Sequence, residues 1–440
     1  MTTHEGLREA AIAEMKLVES LDRGSLKAWQ LARLNEQLAH AYANCAFYRK
    51  QKRELGLPDR LRDVAELAAL PFTTKEDLRD EYPFGFLAVP PHELSRYGES
   101  TGTSGRPTSS FITFEDWIQG NIWVETAFQH YFTSGDTAFI AIPYELTFAS
   151  YDIDRALEQL GVTIVATGTL NQICPFDRLL QMMAELHPTC LVCTPTRALR
   201  LFHMLEDRGY DPREVALRKL LYVGETCSPS KLRKIAEAWD IELITAYGST
   251  ETNSLALQCR AGQSHLSEGR YYFEILDPDS LQPAPPGEPG EIVLTGLRSK
   301  AMPLVRYRTG DLGIADEAPC SCGSPRRTLQ HLGRVSESVE LEGLTIRKLA
   351  LEEAILSAPG TGVYYAAGER DGRLEICVEA LPGAGNSVCR EVQDTLFSSF
   401  GVRATVRPVP RRVLSAAMDR MLKPGSLSLD DIDQVEYATV

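Results

Sequence analysis

Hydroxyl-bearing residues and glycines alternate along Ser100, Thr101, Gly102, Thr103, Ser104 and Gly105, followed by Arg106, Pro107 and Thr108. With no Cβ at the glycines, backbone N–H and side-chain O–H groups can converge on one anion, so the segment reads as a polyphosphate cradle. The spacing of a Walker loop is absent, and a flexible Ser/Thr/Gly loop is the alternative. Two later segments add complementary chemistry. Tyr247-Gly248-Ser249-Thr250-Glu251 follows an apolar run and offers an aromatic face, hydroxyls and a carboxylate. Tyr307-Arg308-Thr309-Gly310-Asp311-Leu312-Gly313 sets a carboxylate in a tight turn, suited to holding two ribose hydroxyls. A second constellation is metal-like. Cys320-Ser321-Cys322-Gly323 is a knuckle whose thiolates can share one ion, and Cys259 with His265 can complete a tetrahedral Cys3His set. Four protein ligands leave no open position, so such a site is structural, with free thiols as the alternative.

The scaffold for these groups shows in the hydrophobic pattern. From 137 to 248 the β-type runs AFIAIPY, VTIVATG, TCLVCTP, LLYVGE and ELITAYG alternate with helical stretches at Asp152–Leu160, Phe176–Leu186, Thr196–Asp207 and Pro229–Trp239. That alternation predicts a mainly parallel sheet with covering helices. Ligands in such sheets bind beyond the carboxyl ends of the strands, which points to Tyr144-Glu145, Gly168, Thr194, Gly224-Glu225 and Tyr247-Gly248. Residues 1–70 read as helical, and TTKEDL after Pro71 reads as a helix cap with no chemistry assigned to it. Residues 270–316 turn to β, and from Arg334 the order is strand, helix, strand, strand, helix, strand. The expected fold class is α/β: a large domain over 1–333 with mainly parallel sheets, covering helices and a β-rich segment, and a small C-terminal α+β domain over 334–440.

A chain of 440 residues has room for two to three domains at roughly 150 residues each. Its 46 basic and 60 acidic side chains leave a net charge of -14, which disfavours nucleic acid as a partner. No apolar run approaches the ~18 residues of a membrane helix, and the acidic N-terminal stretch lacks the pattern of a signal peptide. A cytoplasmic protein with no membrane partner is the expectation. Ten cysteines over this length are too dilute for a disulfide scaffold.

In order and spacing, the segments at 100–108, 247–251 and 307–313, with Gly333-Arg334 after them, resemble the adenylate-forming superfamily of acyl-CoA ligases, adenylation domains and luciferases. The length and the cysteine pattern are closer to its phenylacetate-CoA ligase branch. The resemblance implies that Ser100 to Gly105 wrap the phosphates of ATP, that Gly224, Glu225, Tyr247 and Gly248 form the adenine pocket, and that Ser249 also binds the nucleotide. It implies Thr250 at the α-phosphate, Glu251 on Mg2+, Asp311 and Arg334 on ribose, and a mobile small domain. It also raises zinc at Cys259, His265, Cys320 and Cys322, as some members of the branch carry it. Tyr144, Glu145, Phe148 and Ala149 correspond to the acid pocket, where Glu145 can accept a hydrogen bond from an amino or hydroxyl group on an aryl acid, or pair with a nearby donor. The implied reaction is adenylation of an aromatic acid, phenylacetate-, hydroxybenzoate- or aminobenzoate-like, and transfer to coenzyme A. A carrier protein, amine or hydroxyl acceptor, a non-catalytic nucleotide binder, and a homodimer stay open. Two departures stand out: Arg106 replaces the usual lysine of the phosphate loop, and no lysine follows Pro410-Arg411 until Lys423. Lys423 is therefore the candidate catalytic lysine, a solvated surface lysine being the alternative.

Overall fold

The structure is a computed structural model describing residues 4–100, 105–169, 172–341, 344–370, 372–419, 427–429 and 431. Thr101, Gly102, Thr103, Ser104 and Lys423 thus lie outside the described residues. Contacts divide the chain into two compact units, one of residues 1–171 and 244–332, the other of residues 172–243 and 333–440. Among the described residues no helix is long and apolar enough to cross a membrane.

The first unit begins with the helices His4–Ser20, Arg23–Asn44 and Ala46–Leu55. The second of these buries Leu26, Gln30, Leu34, Leu38 and Ala41, a stripe at helical spacing, and is capped by the Asp22 carboxylate on the Ser25 amide. TTKEDL is a helix start, as expected: Thr74 and Asp77 form a reciprocal capping box that opens the helix Lys75–Asp80. An antiparallel hairpin, Leu94–Glu99 with Ser109–Thr113, follows and brackets the phosphate-loop segment. A second capping box, Thr113 with Asp116, starts the helix Phe114–Phe128. Strands Thr137–Ile140 and Thr163–Ala166 pair in parallel around the helix Ala149–Gln159. The β-rich remainder is antiparallel, with neighbours in the order Tyr271–Leu276, Gly290–Gly296, Tyr307–Asp316, Thr328–Arg334, Ser264–Leu266, Asn253–Gln258 and Glu242–Ser249. Its core joins Leu34, Leu38 and Tyr48 of the helices to Ile292, Leu294 and Tyr307 of the strands.

In the second unit, strands Cys190–Cys193 and Lys219–Tyr222 pair in parallel, and the helices Phe176–Leu186, Pro195–Asp207 and Pro229–Trp239 accompany them. Residues 334–440 contribute the hairpin Ser338–Leu341 with Leu344–Arg347 and the helices Lys348–Leu356, Ser387–Phe400 and Arg411–Asp419. In their sheet Arg373–Ala380 pairs antiparallel with Thr361–Arg370 and parallel with Ala404–Val409. Ile355, Ile376, Val378, Val392 and Leu396 form the core of this α+β segment.

Candidate functional site

The hairpin Leu94–Glu99/Ser109–Thr113 sets the base of the phosphate loop. The Ser100 amide donates to the Thr108 carbonyl at 2.9 Å, and the Thr108 amide donates back to Ser100 Oγ at 2.9 Å, so the loop closes on itself where it leaves the strands. Gly105 has φ +135°, a conformation that needs glycine. Arg106 turns to Tyr82, its guanidinium carbon 4.7 Å from the ring centroid.

Thr108 leads to Glu251. Its hydroxyl donates to Glu251 Oε1 at 2.9 Å, and Lys75 Nζ lies 3.2 Å from the same oxygen. The Glu251 side chain is only 3% exposed. Burial works against its charged form, but the Lys75 ammonium, its own amide and the Thr108 hydroxyl outweigh burial and hold the pKa below the ordinary carboxylate value. The turn that carries it is tight: a Cβ on Gly248 would come within 2.2 Å of the Asn253 carbonyl oxygen, and Asn253 itself has φ +60°. A small cleft opens beside Glu251, lined among others by Phe111, Trp117, Phe148, Asn253 and Arg270.

Tyr247 and Asp311 meet directly, the phenol donating to Asp311 Oδ2 at 2.8 Å. One face of Tyr247 stacks on His331 at 4.3 Å. Ser249 Oγ lies 2.9 Å from Thr252 Oγ1, and Thr250 is half-buried in the same turn. Phe148 is buried, in reach of Gly98, and Ala149 begins the helix Ala149–Gln159. Tyr144 donates to Asp154 Oδ2 at 2.8 Å, whereas Glu145 is exposed and accepts from the Tyr144 amide at 3.0 Å.

In the second unit Gly224 adopts φ +77° just past the strand Lys219–Tyr222. Glu225 turns inward: it accepts from the Thr196 amide at 3.0 Å and from the Thr196 hydroxyl, and Lys231 Nζ is 3.0 Å away. Burial opposes the ionised form of Glu225, but Lys231 and Thr196 keep its pKa below the ordinary value. Arg334 opens residues 334–440 and is exposed.

The ligand atoms of Cys259, His265, Cys320 and Cys322 all lie within 4.8 Å of one another. Cys259 Sγ is 3.7 Å from Cys320 Sγ, and Cys322 Sγ is 3.3 Å from His265 Nε2. His265 Nδ1 sits 2.9 Å from the Arg326 carbonyl. A carbonyl only accepts, so Nδ1 carries the proton and Nε2 offers its lone pair to the thiols, the arrangement that orients a metal-bound histidine.

Lys75 joins the site without having been singled out in the sequence, and Thr108, which closes the phosphate-loop segment, had no role of its own assigned there. A signal for Lys75 exists: a cation at the first position of a helix is disfavoured by the helix dipole, so its presence there asks for a partner.

The sequence profile of the family described as AMP-binding enzyme matches residues 27–299. The chain is 29% identical over 414 residues to the phenylacetate-coenzyme A ligase of Aromatoleum evansii, covering 89% of this chain and 92% of that one. It is 30% identical over 360 residues to the phenylacetate-coenzyme A ligase of Thermus thermophilus, covering 79% of each. In fold it superposes on 2-hydroxyisobutyryl-CoA ligase in its postadenylation state with a TM-score of 0.83, at 21% identity over 96% of this chain and 93% of that one. A buried Glu251 between a loop-base threonine and a lysine, a Tyr247–Asp311 pair and these matches converge: the chain belongs to the AMP-binding, adenylate-forming enzyme family, on its phenylacetate-CoA ligase-like branch.

Proposed function

We propose that the protein is an AMP-forming ligase that adenylates an aromatic carboxylic acid, phenylacetate-, hydroxybenzoate- or aminobenzoate-like, and passes the acyl group to coenzyme A. The observation that carries this reading is the ionised, buried Glu251 joined to Thr108 at the base of the phosphate loop and to Lys75. In the first half-reaction an oxygen of the acid attacks the α-phosphorus of ATP, the bond to the β-phosphate oxygen breaks, and pyrophosphate leaves. In the second, a thiol attacks the acyl carbon of the mixed anhydride and AMP leaves. Such chemistry asks the protein chiefly to position reactants and offset charge.

Residues 100–105 would supply N–H and O–H donors to the β- and γ-phosphates, and the Thr250 hydroxyl a donor to the α-phosphate. Glu251, an ionised oxygen ligand, fits a hard cation, and Mg2+ bound there would neutralise charge on the departing pyrophosphate. Lys75 would hold Glu251 in place and provide a cation beside the phosphates, a role for which Lys423 is the other candidate. Tyr247 and Asp311 would meet adenosine, and Phe148 with Ala149 the aryl ring. The Cys3His cluster fits zinc in ligand type and mutual distance, as a structural ion.

Pyrophosphate release with ATP and Mg2+ tests the proposal across phenylacetates, benzoates and hydroxy- or aminobenzoates, with and without coenzyme A. Acid-dependent release together with an acyl-CoA mass is expected. Release without acyl-CoA would transfer the proposal to a carrier-protein, amine or hydroxyl acceptor, and silence across the panel with ATP still bound would overturn it. If Glu145 reads ring substituents, Glu145→Gln erases the preference for substituted benzoates in the same panel.

A further inference from the structure

A lysine that the amphipathic pattern would leave in water is buried in the second unit. Lys231, on the helix Pro229–Trp239, is 4% exposed, and so is Glu352 on the helix Lys348–Leu356. Lys231 Nζ lies 3.0 Å from Glu225 Oε1, 3.6 Å from Glu352 Oε2 and 3.3 Å from Thr196 Oγ1. One ammonium faces two carboxylates, and the surplus negative charge is met by helix N-termini. The Thr196 amide, at the start of Pro195–Asp207, donates to Glu225 at 3.0 Å; the Ser228 amide, at the start of Pro229–Trp239, donates to Glu352 at 2.7 Å. Tyr365 adds a donor to Glu352 at 3.1 Å.

Burying three charges is at best neutral beside an apolar core of the same shape, so a use other than plain stability is the physical expectation. The surroundings match. Next to this cluster Glu353 accepts from the Ser230 amide and hydroxyl, and Lys234 donates to the Thr361 carbonyl at 2.7 Å. A small cleft with room for no more than about one water lies beside Lys231, lined by Leu199, Val363, Tyr364 and Met418. A contact held by charges can part into water without exposing much apolar surface.

We propose that Lys231 and Glu352 are positioning residues that couple residues 334–440 to the loop carrying Gly224 and Glu225, so that docking of the helix Lys348–Leu356 orders that loop. That the ordering sets ATP affinity rests on the reading of Gly224-Glu225 as part of the nucleotide pocket. Glu225 is the element shared by both: its carboxylate is fixed by Lys231, whose ammonium is in turn held by Glu352.

Hydrogen exchange over residues 219–227 and ATP kinetics test the coupling in Glu352→Gln, Lys231→Met and the double variant. Glu353→Gln serves as comparison, because Glu353 docks the same helix through Ser230 without touching Lys231, so it is expected to loosen residues 219–227 less than Glu352→Gln does. Exchange over 219–227 is expected to quicken about tenfold in Glu352→Gln and Lys231→Met, and the KM for ATP to rise by a similar factor with kcat within about twofold. The double variant is expected to add little to Lys231→Met. Unchanged exchange in Glu352→Gln, or equal loosening in Glu353→Gln, overturns the proposal. If Lys231→Met fails to fold, Glu352→Gln against Glu353→Gln decides alone. If no form of the protein, wild type included, releases pyrophosphate, the exchange result still judges the coupling and the failure falls on the ligase reading.

Discussion

Glu251 stays charged while almost out of water, and Lys75 is the principal reason. Its ionisation stabilises the fold above the unfolded carboxylate pKa, and that contribution is lost as pH falls through the lower folded value. Lys75→Met removes the counter-charge, so the Glu251 pKa moves up. The acid limb of the pH–rate profile for pyrophosphate release is therefore expected to shift to higher pH, with kcat lowered roughly 10²–10³-fold, the typical loss for one positioned charge. An acid limb that does not move would show that Lys75 does not set the ionisation of Glu251. Much of this neighbourhood was legible as residue types: Ser100, Tyr247, Glu251 and Asp311 carry groups whose chemistry stands out in a sequence. Lys75 and Lys231 were not, because a lysine on an amphipathic helix looks solvated until the fold brings a carboxylate to it.

At the scale of elements, the Cys3His cluster joins the end of the strand Asn253–Gln258, the strand Ser264–Leu266 and the turn at Cys320–Gly323. With Tyr131 also donating to the Cys259 carbonyl, the ion would pin one end of the antiparallel sheet. One zinc per chain is expected by elemental analysis, and its loss in Cys320→Ser/Cys322→Ser should lower Tm by several degrees. Wild-type protein without zinc and indifferent to chelators would rule this out. Helix limits followed the sequence at two starts. Pro229–Trp239 begins after Ser228, whose side chain accepts from the Lys231 amide and which is followed by Pro229 at the first position, and Phe176–Leu186 begins after Pro175, which makes no side-chain cap bond. Strand limits were less well marked. The ladder at AFIAIPY covers only Thr137–Ile140, while Ala141 and Ile142 are buried beyond the strand, so apolar character does not mark its end. The hairpin around the phosphate loop escaped notice because its strands, LSRYGE and SSFIT, lack a long apolar alternation.

At the scale of the whole molecule, the titration of the buried His203 bears on stability. His203 lies against Tyr364, with its Nδ1 3.1 Å from the phenol oxygen. Burial, with Arg411 and Arg200 adding to it, pushes the pKa down to about 4 from 6.5. Between those values the unfolded chain binds a proton that the folded chain does not. The stability this neutral ring secures is complete above pH 6.5 and declines as pH falls toward 4, by at most about 3 kcal/mol. Denaturant titrations of wild type and His203→Gln across roughly pH 4–7 should show a flatter pH dependence in the variant; parallel curves would exclude His203 as the source. The parallel pairs, the β character of residues 270–316 and the C-terminal α+β segment followed from the hydrophobic pattern, whereas the strands Asn253–Gln258 and Ser264–Leu266 and the antiparallel pairing did not. The grouping of residues 172–243 with 333–440 did not, since nothing in a local pattern reports contacts at such separation.

That grouping bears on synthesis. Neither unit is a continuous stretch: the chain passes from one to the other after residues 171, 243 and 332. During N-to-C synthesis the first unit lacks its antiparallel strands until residue 332 has emerged, and residues 172–243 wait for a partner made last. Strands such as Cys190–Cys193, fully buried in the finished protein, would be exposed on the nascent chain for the time it takes to make the rest. Translation that stalls beyond residue 243 would leave two half-built units on one ribosome, a nascent species that folding helpers would be needed to shield.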